Sequence, residues 1–157
     1  FFRKPRRFGT AMLLGISIGA LFTNLFIKVV IARPRPYADE TGFFYPIWQL
    51  MGAHTESDKS FPSGHTTAAF ASMVPVFLIG KKRVSWTALI FAFLMGLSRI
   101  YLVVHYPSDV LGGLIVGTIA GVIATLITQN AIPKRFYAID FVPERTKKRG
   151  AHETPKA

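Results

Sequence analysis

Apolar positions gather in four long blocks, and polar or basic residues collect between them. Residues 8–27 are 20 positions without a charge, residues 61–80 are 20 in which His65 alone can ionise, and residues 110–128 are 19 without a charge. Residues 84–104 add 21 positions with a single charge, Arg99, near one end. An α-helix rises about 1.5 Å per residue, so about 20 apolar residues cross the roughly 30 Å of bilayer hydrocarbon. The four blocks therefore predict four transmembrane helices, and the expected fold class is an all-α integral membrane helix bundle. Residues 33–60, between the first two blocks, carry Pro34, Pro36 and Pro46 and a run of Phe43, Phe44, Tyr45, Ile47, Trp48, Leu50 and Met51. That run is too short to span; its aromatics suit a short helix at the membrane interface or a lid packed on protein. Residues 129–157 turn polar and basic and read as a tail on one single domain, 1–157.

Charge sharpens the picture. Only 17% of residues are charged, against roughly 25% in soluble domains, yet 19 Lys and Arg face 8 Asp and Glu, for a net charge of +11. Fourteen of the 19 lie before the first block, between the second and third, or after the fourth. Alternating spans put all of those on one face, and Lys and Arg near span ends mark the cytoplasmic side. The N-terminus of the chain and the tail are thus expected in the cytoplasm, with Lys28, Arg33, Arg35, Lys59 and Arg99 on the opposite face. The basic clusters serve topology and attraction to anionic lipid; binding nucleic acid, which is not expected, would need a soluble fold. With no cysteine, disulfides, thiol catalysis and Cys-ligated zinc are excluded, and four histidines remain for chemistry. The chain opens on Phe without a cleavable signal pattern and reads as a fragment of something longer.

Gly15 and Gly19, and Gly113, Gly117 and Gly121, recur at four-residue spacing and predict faces on which helices approach closely. Asn24, one turn before Lys28, is expected to satisfy itself within the bundle. Lys28, Arg35 and Arg99 are different, because they fall at one depth where lipid makes an unpaired charge expensive. A lone cation at a helix end commonly snorkels, but three converging cations call for an anion. Pro62-Ser63-Gly64-His65 opens the second span. Pro is tolerated in a first helical turn, Ser63 can cap, Gly64 lets another group near the backbone, and exposed N–H groups at a helix start bind phosphate-like anions. His65 then stands beside that anion, although a Ser-Gly helix start by itself is commonplace. Pro107 is expected to start the last span, with His105 just outside it and Asp109 in its first turn. Asp109 can then accept the N–H of His105, fix its tautomer and leave the other nitrogen's lone pair outward, as a nucleophile requires. Alone, such a pair is commonly a structural hydrogen bond.

The elements together run Lys28, six residues, Arg35-Pro36; Pro62-Ser63-Gly64-His65; Ser98-Arg99, five residues, His105, three residues, Asp109. This pattern closely resembles the type 2 phosphatidic acid phosphatase superfamily, from Lys28 to Asp109. The resemblance implies that His105 is the nucleophile forming a phosphohistidine, that Asp109 orients it, and that His65 protonates the leaving oxygen. It assigns Lys28, Arg35, Arg99, Ser63, Gly64 and Ser98 to phosphate binding, with no metal and no cofactor. Membrane members are similar in having six helices with the motifs on the last four, which implies two further helices ahead of this chain.

The expected function is a membrane lipid phosphatase acting at the outer leaflet, with a lipid phosphate or diphosphate and the bilayer itself as partners. Polyprenyl (undecaprenyl) diphosphate is the favoured substrate; phosphatidylglycerol phosphate, phosphatidic acid and diacylglycerol pyrophosphate are alternatives. Soluble acid phosphatases and vanadium haloperoxidases share the motifs but lack the spans. A catalytically silent lipid-phosphate binding protein or transporter is the rival of another class, and an oriented imidazole speaks against it. Arg33 is expected to pair with Asp39 or Glu40, His54 to be a surface or lid residue, and His152 to lie apart in the tail.

Overall fold

The computed structural model describes residues 3–56 and 59–132; the basic tail and His152 lie outside the described residues. These residues are helical or irregular, with no strand among them. The first apolar block forms α1 (Arg3–Leu21), a π-helical stretch (Phe22–Ile27) and α2 (Lys28–Ile31) in one continuous rod. A short 3-10 turn (Pro36–Ala38) and α3 (Phe44–Leu50) follow, then α4 (Gly64–Ile79), α5 (Lys82–Tyr101) and α6 (Pro107–Asn130).

Local chemistry sets the ends and trims two expected spans. Pro62 lies outside α4 rather than in its first turn, because Ser63 is the N-cap and accepts the Thr66 N–H. α4 is consequently 16 residues long. α5 stops at Tyr101, short of Val104, since Val103 takes a left-handed φ of 56°, a region that β-branched residues rarely adopt. α6 starts at Pro107 as expected, and the Tyr106 N–H donates to Asp109 Oδ2 at 2.8 Å. Two rods, Arg6–Ile31 and Pro107–Asn130, are long and apolar enough to cross a membrane; the apolar parts of α4 and α5 are shorter.

α4 is the centre of the bundle and packs on α1, α5 and α6, while α1 also packs on α6. Small residues make this contact possible. A Cβ on Gly117 would lie 2.5 Å from the Thr67 carbonyl oxygen, and one on Gly15 would lie 2.3 Å from that of Ala71. Many buried positions are accordingly small or hydroxylated, among them Ala71, Ala92, Ala120, Ala124, Thr67 and Thr128, with Phe70 and Val74 the larger side chains packed around Ala92. Large apolar side chains point outward instead: Phe91, Phe93, Ile115, Leu126, Val29 and Val30 are all exposed. Such an apolar exterior around a small-residue interior suits a lipid surround.

Candidate active site

Successive rods alternate in direction, so the ends of α2 and α5 meet the starts of α4 and α6. Two bonds hold this junction: the Ser63 N–H donates to the Asp109 carbonyl at 3.0 Å, and the Arg35 guanidinium donates to the Val104 carbonyl at 2.9 Å.

The π-helical stretch brings Lys28 here. Gly19 faces Thr67, and Thr23, four residues on, is buried against the Thr67 hydroxyl. In a regular α-helix Ile27 would be next on that face. The Lys28 N–H instead bonds the Thr23 carbonyl, five residues back, and this one-residue insertion rotates Lys28 inward. Single π-turns of this kind recur at functional sites. Lys28 is 7% exposed, and its Nζ lies 3.7 Å from where a Cβ on Gly64 would sit, so the expected close approach to Gly64 is made by an ammonium group.

His105 is buried between two partners. Its Nδ1 faces Asp109 Oδ2 at 3.5 Å and Ser60 Oγ at 3.4 Å, and its Nε2 faces an Arg35 nitrogen at 3.3 Å. Guanidinium only donates, so the Arg35 contact suits the tautomer with the proton on Nδ1 towards Asp109 and a lone pair on Nε2. Asp109 is fully buried and also receives Ser60 Oγ–H and Arg33, the latter at 3.0 Å.

Glu56 occupies the space between the imidazoles. Its Oε2 lies 2.7 Å from Arg35 and 3.5 Å from His105 Nε2, and its Oε1 lies 3.6 Å from His65 Nδ1 and 3.7 Å from Arg99. His105, His65, Arg35 and Arg99 thus converge on one anion, with Lys28 and Glu56 lining the same two cavities of about 550 and 840 Å³. Ser63 is buried at the α4 start, accepting from Thr66. Ser98 is turned to its own helix: its hydroxyl donates to the Met95 carbonyl at 2.7 Å and accepts from Arg99 Nε at 3.2 Å. It steadies Arg99 and makes no approach to Glu56.

Two expectations are corrected. Asn24 is exposed and lines both cavities, because the π-turn that buries Thr23 and Lys28 turns it outward. Arg33 pairs with Asp109 and Ser108 and lies over the Tyr106 ring, 4.0 Å from its centre. Asp39, its expected partner, is engaged by the Thr41 hydroxyl and N–H, which hold its carboxyl below the usual value. Glu56 and Ser60 carry no spacing signal and are found only in three dimensions; the Ser60 N–H is tied to the Arg33 carbonyl at 2.9 Å. His54 is exposed, with its carbonyl accepting from Trp48. α3 meets the expectation of a short helix, and its Trp48 stacks on Tyr37 at 4.6 Å.

Comparison with known proteins meets this geometry. The chain is 38% identical over 109 residues to the undecaprenyl-diphosphatase BcrC of Bacillus subtilis, covering 67% of the chain and 50% of that protein. It is 43% identical over 113 residues to the bacitracin transport permease protein BcrC of Bacillus licheniformis, covering 72% and 48%. Phosphatidylglycerophosphatase B of Bacillus subtilis is 38% identical over 128 residues, covering 74% and 56%. The chain spans about half the length of the curated relatives it matches. No solved structure matches it significantly. The PAP2 superfamily model matches residues 8–133, which take in every residue of the cationic junction, and the chain belongs to the PAP2 superfamily.

Proposed function

We propose that the chain is the catalytic part of a membrane lipid phosphatase whose substrate is a polyprenyl diphosphate of the undecaprenyl type. The observation that carries this reading is the single carboxylate touching both imidazoles and two guanidinium groups at once. A phosphoryl group placed there has His105 Nε2 on one side and His65 on the other. His105 Nε2 attacks phosphorus while the bond to the leaving oxygen breaks, and His65 gives that oxygen its proton. Asp109, backed by Ser60 and Arg33, holds the imidazole in the Nδ1–H tautomer and stabilises the positive charge that develops on the ring. Water then attacks the phosphohistidine, with His65 taking its proton, and phosphate leaves with His105 restored. Arg35, Arg99 and Lys28, with the Gly64 N–H and Ser63, stabilise charge on the phosphoryl oxygens throughout.

The lipid assignment rests on depth. These groups sit at helix ends and in the irregular chain beside them, where headgroups lie, and the chain crosses the bilayer four times with the site on the extracytoplasmic face and both ends cytoplasmic. Relatives named undecaprenyl-diphosphatase support the polyprenyl substrate. Phosphatidylglycerol phosphate is the second reading, supported by the relative of that specificity.

Purified full-length protein should release phosphate from undecaprenyl diphosphate faster than from phosphatidylglycerol phosphate; the reverse order would replace the substrate. His105→Ala should lose about 10⁴-fold or more in turnover, the scale seen when a nucleophile is removed, with its thermal unfolding unchanged. Appreciable residual turnover would reject the nucleophile. A protein that binds lipid phosphate and releases none would make the chain a binder or transporter.

A further inference from the structure

Glu56 does not belong to the catalytic machinery above, yet it fills the place a phosphate would take. Its side chain is 13% exposed. One oxygen has a short charge-assisted contact to Arg35, while Oε1 is buried without a hydrogen bond. A phosphoryl group offers three oxygens and twice the charge, so the pocket is better matched to phosphate than to its own carboxylate.

The backbone holds Glu56 in this position deliberately tightly. Tyr37 Oη donates to the Glu56 carbonyl at 3.1 Å and accepts the Glu56 N–H at 2.9 Å. Tyr37 in turn stacks on Trp48, whose indole N–H donates to the His54 carbonyl at 2.9 Å. The 3-10 turn, α3 and the segment leading to Glu56 are thereby clasped together, and the carboxylate is presented to the cations as a tethered ligand.

We propose that Glu56 is a built-in competitor for the phosphate site, one that admits terminal dianionic phosphates and turns away monoanionic phosphodiesters. The proposal rests on the phosphatase reading for its biological sense. A phosphodiester headgroup exchanging with Glu56 swaps one negative charge for one, with no Coulombic gain. A terminal phosphate or diphosphate brings at least one more charge to the same cations. A bilayer presents phosphodiester headgroups in great excess, and an open cationic pocket at headgroup depth would fill with them. Competition weakens every ligand by the fraction of time the site is open. A carboxylate in place nine-tenths to ninety-nine hundredths of the time costs about ten- to a hundredfold in apparent affinity.

The test is calorimetric titration of purified full-length protein, wild type, Glu56→Gln and Tyr37→Phe, with inorganic phosphate and with dimethyl phosphate. Glu56→Gln should bind inorganic phosphate about tenfold or more tightly than wild type and should gain by the same factor for dimethyl phosphate, whose weak binding then becomes measurable. Tyr37→Phe, which removes the hydroxyl and with it both hydrogen bonds of the clasp but keeps the carboxylate, should shift both affinities in the same direction by less. Unchanged or weaker phosphate binding by Glu56→Gln would overturn the competitor, and wild type binding dimethyl phosphate as tightly as inorganic phosphate would overturn the exclusion of phosphodiesters. Titration reads binding without turnover. A protein that behaves this way and hydrolyses nothing would sink the phosphatase reading and leave Glu56 as the competitor.

Discussion

The seam between α4 and α6 and the cationic junction at its end are built from the same two helices under opposite rules. Along the seam, Gly113, Gly117 and Gly121 bring backbone against backbone, and a Cβ at any of them would meet atoms of α4 within 3 Å. Shape decides there, and no charge is present. One turn beyond, Ser63, His65, His105 and Asp109 are placed by hydrogen bonds and charge, around space wide enough for an anion. The seam sets the separation of the two helix starts, and the junction uses it. Stability and chemistry are thus divided along one helix pair, which lets each be broken separately.

The largest expected effect falls on the seam. Gly117→Leu should yield no folded protein, because its Cβ already meets the Thr67 carbonyl oxygen at 2.5 Å and the Phe70 Cβ at 2.9 Å and its three further carbons have no space beside them. Gly117→Ala should be destabilised by about 1–3 kcal/mol through overpacking, read as a lower midpoint of thermal unfolding in detergent. Turnover per folded molecule should hold. A fall in kcat without a fall in melting temperature would mean that the seam also tunes the chemistry.

Ser60→Ala probes the junction and should do the converse. The Ser60 hydroxyl donates to Asp109 Oδ2, and a hydrogen bond to a charged group is worth about 1.5–3 kcal/mol. Turnover should drop about ten- to a hundredfold, and the melting midpoint should fall by no more than the loss of this one hydrogen bond accounts for, since Ser60 is not a near neighbour of Gly113, Gly117 or Gly121. The readout that separates positioning from bulk destabilisation is kcat against KM: kcat should carry the loss. A variant that melts early and turns over normally would move Ser60 to the structural side.

The two regions were also unequally legible in the sequence. Gly113, Gly117 and Gly121 announce the seam by their period alone, as Gly15 and Gly19 announce the close packing of α1, and Pro107 and Ser63 mark helix starts by local chemistry that needs no tertiary partner. The pairing of His105 with Asp109 follows from four-residue spacing across a helix start. The π-turn has no such signature, because one inserted residue in an apolar run leaves the hydropathy pattern intact while turning Lys28 inward and Asn24 outward. Glu56 and Ser60 sit in irregular chain, where spacing carries no direction, and a carboxylate in a loop is ordinarily solvated. Arg33 shows the same limit: sequence neighbours Asp39 and Glu40 were the expected partners, but the chain folds it 76 positions away onto Asp109.

Arg33 also gives the smallest and most discriminating test of the division. Like Arg35 it precedes a proline and reaches the junction, but it approaches Asp109 from the outer side and keeps 35% of its side chain exposed, against 4% for Arg35. Water screens a pair at that exposure, so its contribution should be about 0.2–1 kcal/mol. Ser108 and the Tyr106 ring hold the guanidinium in place but touch no substrate oxygen. Arg33→Gln should therefore lower kcat by at most about fivefold and leave KM for the lipid phosphate unchanged, with the loss shrinking as wild type is assayed at higher salt. Arg35→Gln, which removes a buried donor facing both His105 Nε2 and the anion, should raise KM as well. If Arg33→Gln raised KM as steeply as Arg35→Gln, Arg33 would be gripping the substrate, and the junction would extend one arginine further out than its hydrogen bonds indicate.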